Sequence, residues 1–160
     1  MHYTQTISSP LGNILLSADE VGLTGLWFDG GRYYADTLPE EHVERETPIL
    51  MDTKRWLDVY FTGREPDFTP PLHPTGSPFR QTVWQLLLEI PYGQTTTYGA
   101  LLGDGASARA VGGAVGRNPI SIIVPCHRVI GADGSLTGYA GGVDRKIRLL
   151  ALERQGTKRR

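Results

Sequence analysis

The chain has 160 residues, 39% of them hydrophobic and 21% charged, and its formal net charge is −1. These values are ordinary for a globular protein, and no apolar stretch approaches the length that spans a membrane. The N-terminus lacks the features of a signal peptide, and the single cysteine, Cys126, excludes an internal disulfide and a multi-thiolate zinc site. We therefore expect a cytoplasmic protein with a free thiol and no membrane contact.

The N-terminal part is predicted to begin with three short strands, Tyr3 to Ile7, Gly12 to Ala18 and Gly22 to Phe28. Ser-Pro and Asp-Glu turn signals separate these strands, which favours an antiparallel arrangement. A helix from Pro48 to Phe61 follows, because apolar residues recur there at helical spacing and Thr47-Pro48 is a typical helix start.

The C-terminal part is predicted to be mostly helical. A first helix runs from about Phe79 to Glu89. Thr97 is a candidate N-cap for a short helix from Tyr98 to Leu102, and Ser107 is a candidate N-cap for a helix that ends near Val115. Two helices joined by the glycine-containing turn at 103–105 predict a helix-turn-helix.

The last predicted helix runs from an Asp144 cap to Gln155, and Gly156 is expected to end it. Helical spacing assigns its inward face to four apolar residues, which are Val143, Ile147, Leu150 and Ala151.

Charge and proline content indicate a boundary in the mid-seventies. Residues 1–75 contain 5 basic and 12 acidic residues, whereas residues 76–160 contain 11 and 5. The proline-rich segment 67–78 between them is typical of a linker. We therefore predict two domains, 1–75 and 76–160. A basic domain attracts polyanions, most often nucleic acid, although the basic tail Lys158-Arg159-Arg160 can also be a merely solvated segment.

The predicted helix after Ser107 consists almost entirely of small residues around Arg109. Each glycine weakens a helix by about 1 kcal/mol relative to alanine, so the composition needs another reason. Small residues allow close approach of either another protein element or a nucleic-acid groove, and spacing alone does not decide between them. In a DNA complex, Arg109 would bind phosphate or insert into the base stack.

Cys126 interrupts the apolar run 122–130 together with His127 and Arg128. Most lone cysteines are buried packing residues, but nearby positive charge and a base favour a nucleophile. Adjacent residues in an extended segment point to opposite faces, so we predict proton transfer to His127 through a water, with a third polar group orienting the imidazole. Pro125 would present the thiol at a stiff strand end or turn. Alternatively, His127 and Arg128 are surface residues where a strand emerges.

Several motifs occur together in the C-terminal part: Tyr98, Ala108–Gly113, Asn118-Pro119, Pro125–Val129, Gly138–Gly142 and Glu153. Their order resembles that of the O6-alkylguanine-DNA alkyltransferases, also called methylated-DNA-protein-cysteine methyltransferases. The resemblance is dense from Phe79 to Glu153, and in the N-terminal part it rests on length, strands and the turn Ser9–Gly12. It implies an α+β fold: a small N-terminal α/β domain with an antiparallel, RNase H-like sheet, and a mostly helical C-terminal domain with a helix-turn-helix.

The resemblance also implies a reaction. Such proteins flip an alkylated guanine out of duplex DNA and transfer its O6-alkyl group irreversibly to their own cysteine, here Cys126. His127 would be the base acting through a water, Glu153 would orient its imidazole, Tyr98 would protonate the leaving guanine, and Asn118 would brace the cysteine turn. Each molecule would react once, without a cofactor.

The implied partner is double-stranded DNA that contains O6-alkylguanine, bound through its minor groove. Arg109 would fill the vacated stack. The protein would act as a monomer that is able to assemble cooperatively on DNA. The expected DNA contacts are Ala108, Arg109, Ala110, Gly112, Gly113, Arg117 and Arg128. The expected substrate-pocket residues are Val129, Tyr139, Ala140 and Lys146, the last helping to hold the loop 138–142.

The chain departs from the family pattern at two points. The segment between Tyr98 and Arg109 is about three residues shorter, close to one helical turn. The N-terminal part also lacks the cysteines with which some members bind zinc, so we expect no metal site.

Two alternatives stay open. An alkyltransferase-like sensor recognises damaged DNA without reacting, but such proteins lack the cysteine nucleophile, so this alternative requires that the shortened segment has spoiled the site. A cysteine hydrolase would use Cys126 and His127, yet adjacent residues do not easily form a direct dyad, and no oxyanion motif is evident.

Overall fold

A computed structural model of the chain describes residues 1–103, 107–136 and 138–158, without the side chain of Leu102. The greater part of the predicted turn at 103–105, and Arg159 and Arg160 of the basic tail, lie outside the described residues. The described chain forms a small N-terminal sheet domain followed by a mostly helical C-terminal domain, which confirms the predicted fold class.

The N-terminal sheet has four strands: β1 His2–Ile7, β2 Ile14–Ala18, β3 Leu23–Phe28 and β4 His42–Glu44, in the order β3-β2-β1-β4. The first three pair antiparallel and confirm the predicted strands to within two residues. β4 pairs parallel with β1, so the prediction of a wholly antiparallel sheet is wrong and the sheet is mixed. All three β4 residues are exposed, and so short a segment gives no alternating pattern to detect.

Helix α1, Pro48–Phe61, has the predicted bounds and covers one face of the sheet. The Thr47 hydroxyl accepts a hydrogen bond from the Leu50 amide at 3.3 Å, and proline at the first helical position needs no such partner. One face of the helix is buried against the sheet. The residues of this helix face are Leu50, Thr53, Trp56, Leu57 and Tyr60.

The outer edge of β3 is paired at both ends, and all six of its residues are buried. At one end, the Leu23 amide donates to the Pro71 carbonyl at 2.7 Å, so the segment predicted as a linker is held along the strand. At the other end, the Leu26 amide donates to the Pro119 carbonyl at 2.8 Å, and the Ser121 amide donates to the Leu26 carbonyl at 3.1 Å. The chain that leads to Cys126 therefore continues the N-terminal sheet.

The C-terminal domain contains helices α2 Pro78–Leu87, α3 Tyr98–Leu102, α4 Ala108–Gly116 and α5 Val143–Lys158, with strands β5 Thr96–Thr97 and β6 Val129–Ile130 paired parallel. Both predicted caps are confirmed. Thr97 accepts from the Ala100 amide at 3.1 Å, and Ser107 accepts from the Ala110 amide at 3.0 Å. α3 and α4 pack against each other and against α2, as a helix-turn-helix requires.

The predicted inward face of α5 is wrong. Val143 and Ile147 are 42% and 43% exposed, whereas the buried residues are Lys146, Leu149, Glu153 and Gly156. Two of these residues, Lys146 and Glu153, carry charges. A prediction from apolar spacing assigns charged residues to the exposed face, because burying a charge requires partners that the spacing does not reveal.

Gly156 does not end α5, because the helix continues to Lys158. A Cβ at this position would lie 2.2 Å from the Gly63 carbonyl oxygen and 2.4 Å from the Tyr92 hydroxyl. The glycine therefore permits the close approach of α5 to the N-terminal domain.

No helix within residues 1–103, 107–136 and 138–158 is long and apolar enough to span a membrane. The His, Cys, Asp and Glu side chains of these residues form no group of three that could hold a metal ion.

Gly156→Ala should destabilise the fold by about 1 to 3 kcal/mol, because the added methyl overlaps the Gly63 backbone and the hydroxyl of Tyr92. Helix propensity alone predicts the opposite, a gain of about 1 kcal/mol. Urea unfolding measures the difference. The matched control is Gly113→Ala in α4, where an added Cβ meets no described atom within 4 Å and should be neutral or stabilising.

Candidate active site

Cys126 lies at the start of a single 3-10 turn, Cys126–Arg128, that follows a strained segment. Ile122 has φ of 71°, which is rare for a β-branched residue and costs energy that the surroundings must offset. Asn118 does so: its Nδ2 donates to the Ile120 and Val124 carbonyls at 3.2 and 2.8 Å, and its Oδ1 accepts from the Ile120 amide at 3.0 Å. The assumption of an extended segment is thus corrected to a braced turn.

The Cys126 thiol is 4% exposed, and burial raises its pKa to about 11. The Asn118 side chain and the Lys146 charge act in the opposite direction without overcoming burial. At neutral pH the resting group is therefore a thiol, not a thiolate. A nucleophilic role requires a base that removes its proton at the moment of reaction.

His127 is fully buried and its Nε2 lies 2.5 Å from Oε2 of Glu153. Burial lowers the pKa of the imidazole despite the nearby carboxylate. Burial would raise the pKa of Glu153, but the hydrogen bonds and charges of His127 and Arg128 lower it to about 2. The pair is therefore a neutral imidazole that donates its Nε2 hydrogen to a carboxylate. Nδ1, which has no hydrogen-bond partner among the described residues, is left as a proton acceptor.

Arg128 is the cation that pairs with Glu153. Its Nε donates to Oε1 at 2.8 Å, its Nη2 donates to Oε2 at 3.2 Å, and its Nη1 donates to the Ile90 carbonyl at 2.7 Å. Arg128 is only 8% exposed, so its prediction as a DNA contact is corrected. The alternative that His127 and Arg128 are surface residues is wrong for the same reason. Both stay inside because a buried carboxylate pairs with them.

Two further donors complete the shell of Glu153, and both lie outside the predicted site. The Tyr60 hydroxyl of α1 donates to Oε2 at 2.7 Å, and the Gly93 amide donates to Oε1 at 3.0 Å. The carboxylate thus receives hydrogen bonds from both domains.

Tyr98 stands between α4 and the loop 138–142. A Cβ on Gly138 would lie 3.2 Å from its hydroxyl, and a Cβ on Gly112 would lie 3.8 Å from its ring. Burial, and then the charge of an ionised Cys126, raise the pKa of Tyr98, so its hydroxyl keeps its proton at neutral pH. The shortened segment before Arg109 leaves this tyrosine at the cysteine site.

The predicted pocket residues lie around the cysteine site. Lys146 is buried, and its Nζ donates to the Val129 carbonyl at 2.6 Å. Its backbone amide also donates to the Gly142 carbonyl, at the end of the loop 138–142, at 3.1 Å. The Tyr139 ring meets His127 edge-on, with centroids 6.4 Å apart.

A cavity of about 410 Å³ opens beside these residues. The N-terminal domain forms part of its wall with Arg32 and Tyr33, and the Arg32 amide donates to the Ala140 carbonyl at 2.7 Å. The remaining wall comes from glycines of α4 and from the loop, namely Gly112, Gly113, Gly116, Gly138, Tyr139 and Ala140.

The first turn of α4 is exposed. Ala108, Arg109 and Ala110 face outward, and Arg109 makes no hydrogen bond or ion pair with the described part of the chain. Arg117, at the other end of α4, lies 3.2 Å from the Asp36 carboxylate and 3.9 Å from the centre of the Tyr33 ring. Of the two predicted DNA-contacting arginines on this helix, only Arg109 is free of a described protein partner.

Arg145 is a supporting residue that sequence reasoning missed. Its Nε donates to the Leu11 carbonyl, its Nη1 donates to the Gly141 carbonyl and its Nη2 donates to the Asp29 carbonyl, at 2.9, 3.0 and 3.0 Å. It therefore fixes the loop 138–142 to the N-terminal domain. The sequence signal that points to this contact is the turn Ser9–Gly12, which belongs to the family resemblance and contains Leu11.

Models of two protein domains match almost the whole chain. The 6-O-methylguanine DNA methyltransferase ribonuclease-like domain matches residues 1–74, and the DNA-binding domain of the same family matches residues 78–155. The ribonuclease-like match agrees with the predicted sheet domain.

Relatives and solved structures agree with these matches. A methylated-DNA–protein-cysteine methyltransferase of Methanosarcina acetivorans is 47% identical over 94% of this chain and 97% of its own length, and one of Haemophilus influenzae is 41% identical over 96% and 87%. The crystal structure of Mycobacterium tuberculosis OGT in complex with DNA has a TM-score of 0.85 at 41% identity, covering 96% of this chain and 94% of that one.

Stability should fall on acidification, because folding holds the pKa of Glu153 at about 2, below its ordinary value of 4.5. The ionised carboxylate stabilises the fold above pH 4.5 by about 3 kcal/mol, and this contribution is lost as the pH falls toward 2. His127 adds a loss that begins below pH 6.5, since its folded pKa is lowered too. Melting temperatures from pH 7 to pH 2.5 measure the slope.

In Glu153→Gln the same slope should be shallower, because the substituted amide does not titrate, although the variant starts from a lower melting temperature with Arg128 uncompensated. Glu20→Gln, a matched change at an exposed carboxylate, should keep the full slope. An unchanged slope in Glu153→Gln would contradict the assignment.

Proposed function

The chain belongs to the 6-O-methylguanine DNA methyltransferase family, and on that premise we propose that it repairs DNA by moving the alkyl group of O6-alkylguanine to its own Cys126. The observation that carries this proposal is a buried thiol beside a neutral imidazole whose free nitrogen is an acceptor. A thiol that has lost its proton inside such a site is a strong nucleophile.

The reaction is one displacement. Sγ of Cys126 attacks the alkyl carbon and forms a C–S bond, while the bond between that carbon and O6 breaks and its electron pair passes to the guanine. The thiol proton moves to Nδ1 of His127 through a water, and Glu153 stabilises the imidazolium that results. Tyr98 donates a proton to the guanine ring. The thioether is stable, so each molecule reacts once.

The DNA partner is double-stranded and is bound through its minor groove, with α4 as the recognition helix. The small residues of the helix, exposed Ala108, Ala110 and Gly113 and half-buried Gly112, allow its backbone to approach the groove closely. The guanine must leave the duplex, because its target atom is inaccessible inside the stack. Arg109 then enters the stack in place of the flipped guanine. Arg117 adds a second positive charge at the other end of the helix, where its Nη1 also pairs with Asp36.

The loop 138–142 holds the flipped base. Tyr139 packs against the guanine, and the Ala140 amide and the Val129 backbone face its polar edge, while Lys146 keeps Val129 in place. In this proposal, residues 1–75 support the site and residues 76–160 carry the chemistry. The protein acts as a monomer that is able to assemble cooperatively on DNA.

A sensor that binds damage without reacting has less support, because the chain keeps both the cysteine and its base. A cysteine hydrolase has less support as well. Nδ1 of His127 makes no direct hydrogen bond to the thiol, whereas a Cys-His dyad requires one.

Intact-protein mass spectrometry after incubation with duplex DNA containing O6-methylguanine should show the gain of one methyl group per molecule, mapped to Cys126. The yield should stop at one equivalent with excess substrate, because the thioether is not cleaved. Cys126→Ser should gain no mass while it still binds the duplex. Repeated turnover, or folded wild-type protein without modification, would overturn the proposal.

Arg109→Ala should slow the repair of duplex substrate by about tenfold or more, whereas the reaction with free O6-benzylguanine should stay within about twofold. Only the duplex needs a side chain that replaces the extruded base. Single-turnover rates on both substrates measure the ratio. Arg55→Ala, which removes an exposed arginine from α1, should leave both rates unchanged. Equal losses on the two substrates for Arg109→Ala would exclude the finger role.

A further inference from the structure

Oε2 of Glu153 accepts three hydrogen bonds, from His127, Tyr60 and Arg128, and the first two are the shortest. His127 Nε2 lies 2.5 Å from this oxygen, and the Tyr60 hydroxyl lies 2.7 Å from it. Tyr60 belongs to the N-terminal helix α1 and is separated from Glu153 by 93 residues. The imidazole next to Cys126 in the chain therefore shares its carboxylate with a residue of the other domain.

Tyr60 is held rigidly in this place. Its ring is fully buried, stacks on Trp56 with centroids 5.2 Å apart and planes at 11°, and meets Tyr92 edge-on at 6.3 Å. Burial, reinforced by the negative charge of Glu153, raises the pKa of the Tyr60 hydroxyl well above its ordinary value. At neutral pH it keeps its proton, and toward Oε2 it can only donate.

We propose that Tyr60 is a positioning residue for the alkyl transfer, acting through the carboxylate oxygen of Glu153 that it shares with His127. The inference rests on the proposed role of His127 as the base. The Tyr60 hydroxyl takes up part of the electron density of Oε2, which weakens the hydrogen bond from Nε2 of His127 and keeps Nδ1 less basic. A less basic imidazole stays neutral to lower pH. The fraction of molecules whose imidazole is able to accept the thiol proton therefore stays high as the pH falls.

The other groups around the imidazole keep their charge over the relevant pH range. Glu153 is ionised, with its pKa at about 2, and the Cys126 thiol is neutral, with its pKa at about 11. Changing the Tyr60 hydroxyl therefore alters one hydrogen bond and no charge. The charged and titratable groups that face His127 are Cys126 and Arg128 from its own turn, Lys146 and Glu153 from α5, Tyr139 from the loop, and Tyr60 acting through Glu153.

Tyr60→Phe should raise the pKa of His127 by about 0.5 to 1 unit, because Oε2 then bonds more strongly to Nε2. The shift is measured by the 15N resonances of the His127 ring during a pH titration of the unreacted protein. The acidic limb of the alkyl-transfer rate should move to higher pH by the same amount. Tyr3→Phe is the matched control, since it removes a hydroxyl that donates to an exposed carboxylate, Glu20, at 3.2 Å, and it should shift neither quantity.

A second variant covers the case in which Tyr60→Phe does not fold. Replacement of Tyr60 alone by 3-fluorotyrosine keeps the ring and strengthens the donor, so the pKa of His127 and the acidic limb should both move down. An unshifted imidazole in a folded Tyr60 variant would overturn the proposal, and so would the opposite sign. The ring titration does not depend on alkyl transfer, so failure of the proposed function would be seen separately, as unmodified wild-type protein.

Discussion

The buried carboxylate of Glu153 is the constraint on which the rest of the structure depends. A charge with 1% of its side chain exposed is tolerated only when hydrogen bonds and opposite charge compensate for its lost hydration. The compensation comes from three places in the chain: Tyr60 in α1, the Gly93 amide, and the 3-10 turn with His127 and Arg128. Satisfying this one charge brings together the elements that form the site.

The outer face of α4 depends on a different constraint, because packing of the inner face stabilises this helix while small residues predominate on the outer face. Val111, Ala114 and Val115 are buried, and the Trp84 indole donates to the Ala114 carbonyl at 2.8 Å. The Ser107 cap fixes the first turn. These contacts offset the low helix propensity of the glycines, which leaves the opposite face free to approach another molecule closely.

What the sequence predicted well depends on local signals. The caps at Thr47, Thr97 and Ser107 and the bounds of α1 follow from hydrogen bonds within one turn, so a short window of sequence contains them. The other residues of the cysteine site were predicted because they either adjoin Cys126 in the sequence or belong to the motifs of the family that the chain resembles.

What it predicted poorly depends on distant partners. The buried face of α5 contains Glu153, whose partner Tyr60 is 93 residues away, and Arg145 reaches Leu11 across 134 residues. Arg128 looks like a surface cation until its carboxylate is known. The pairing of β3 with residues 119–121 was missed for the same reason, since the two segments are distant in the sequence. This pairing also affects how the chain folds. Without residues 119–121, the part of β3 around Leu26 would present an unpaired, apolar strand edge, which is a template for aggregation. This part of the edge is protected only when those residues arrive, so a newly made chain stays vulnerable until the cysteine segment has been synthesised.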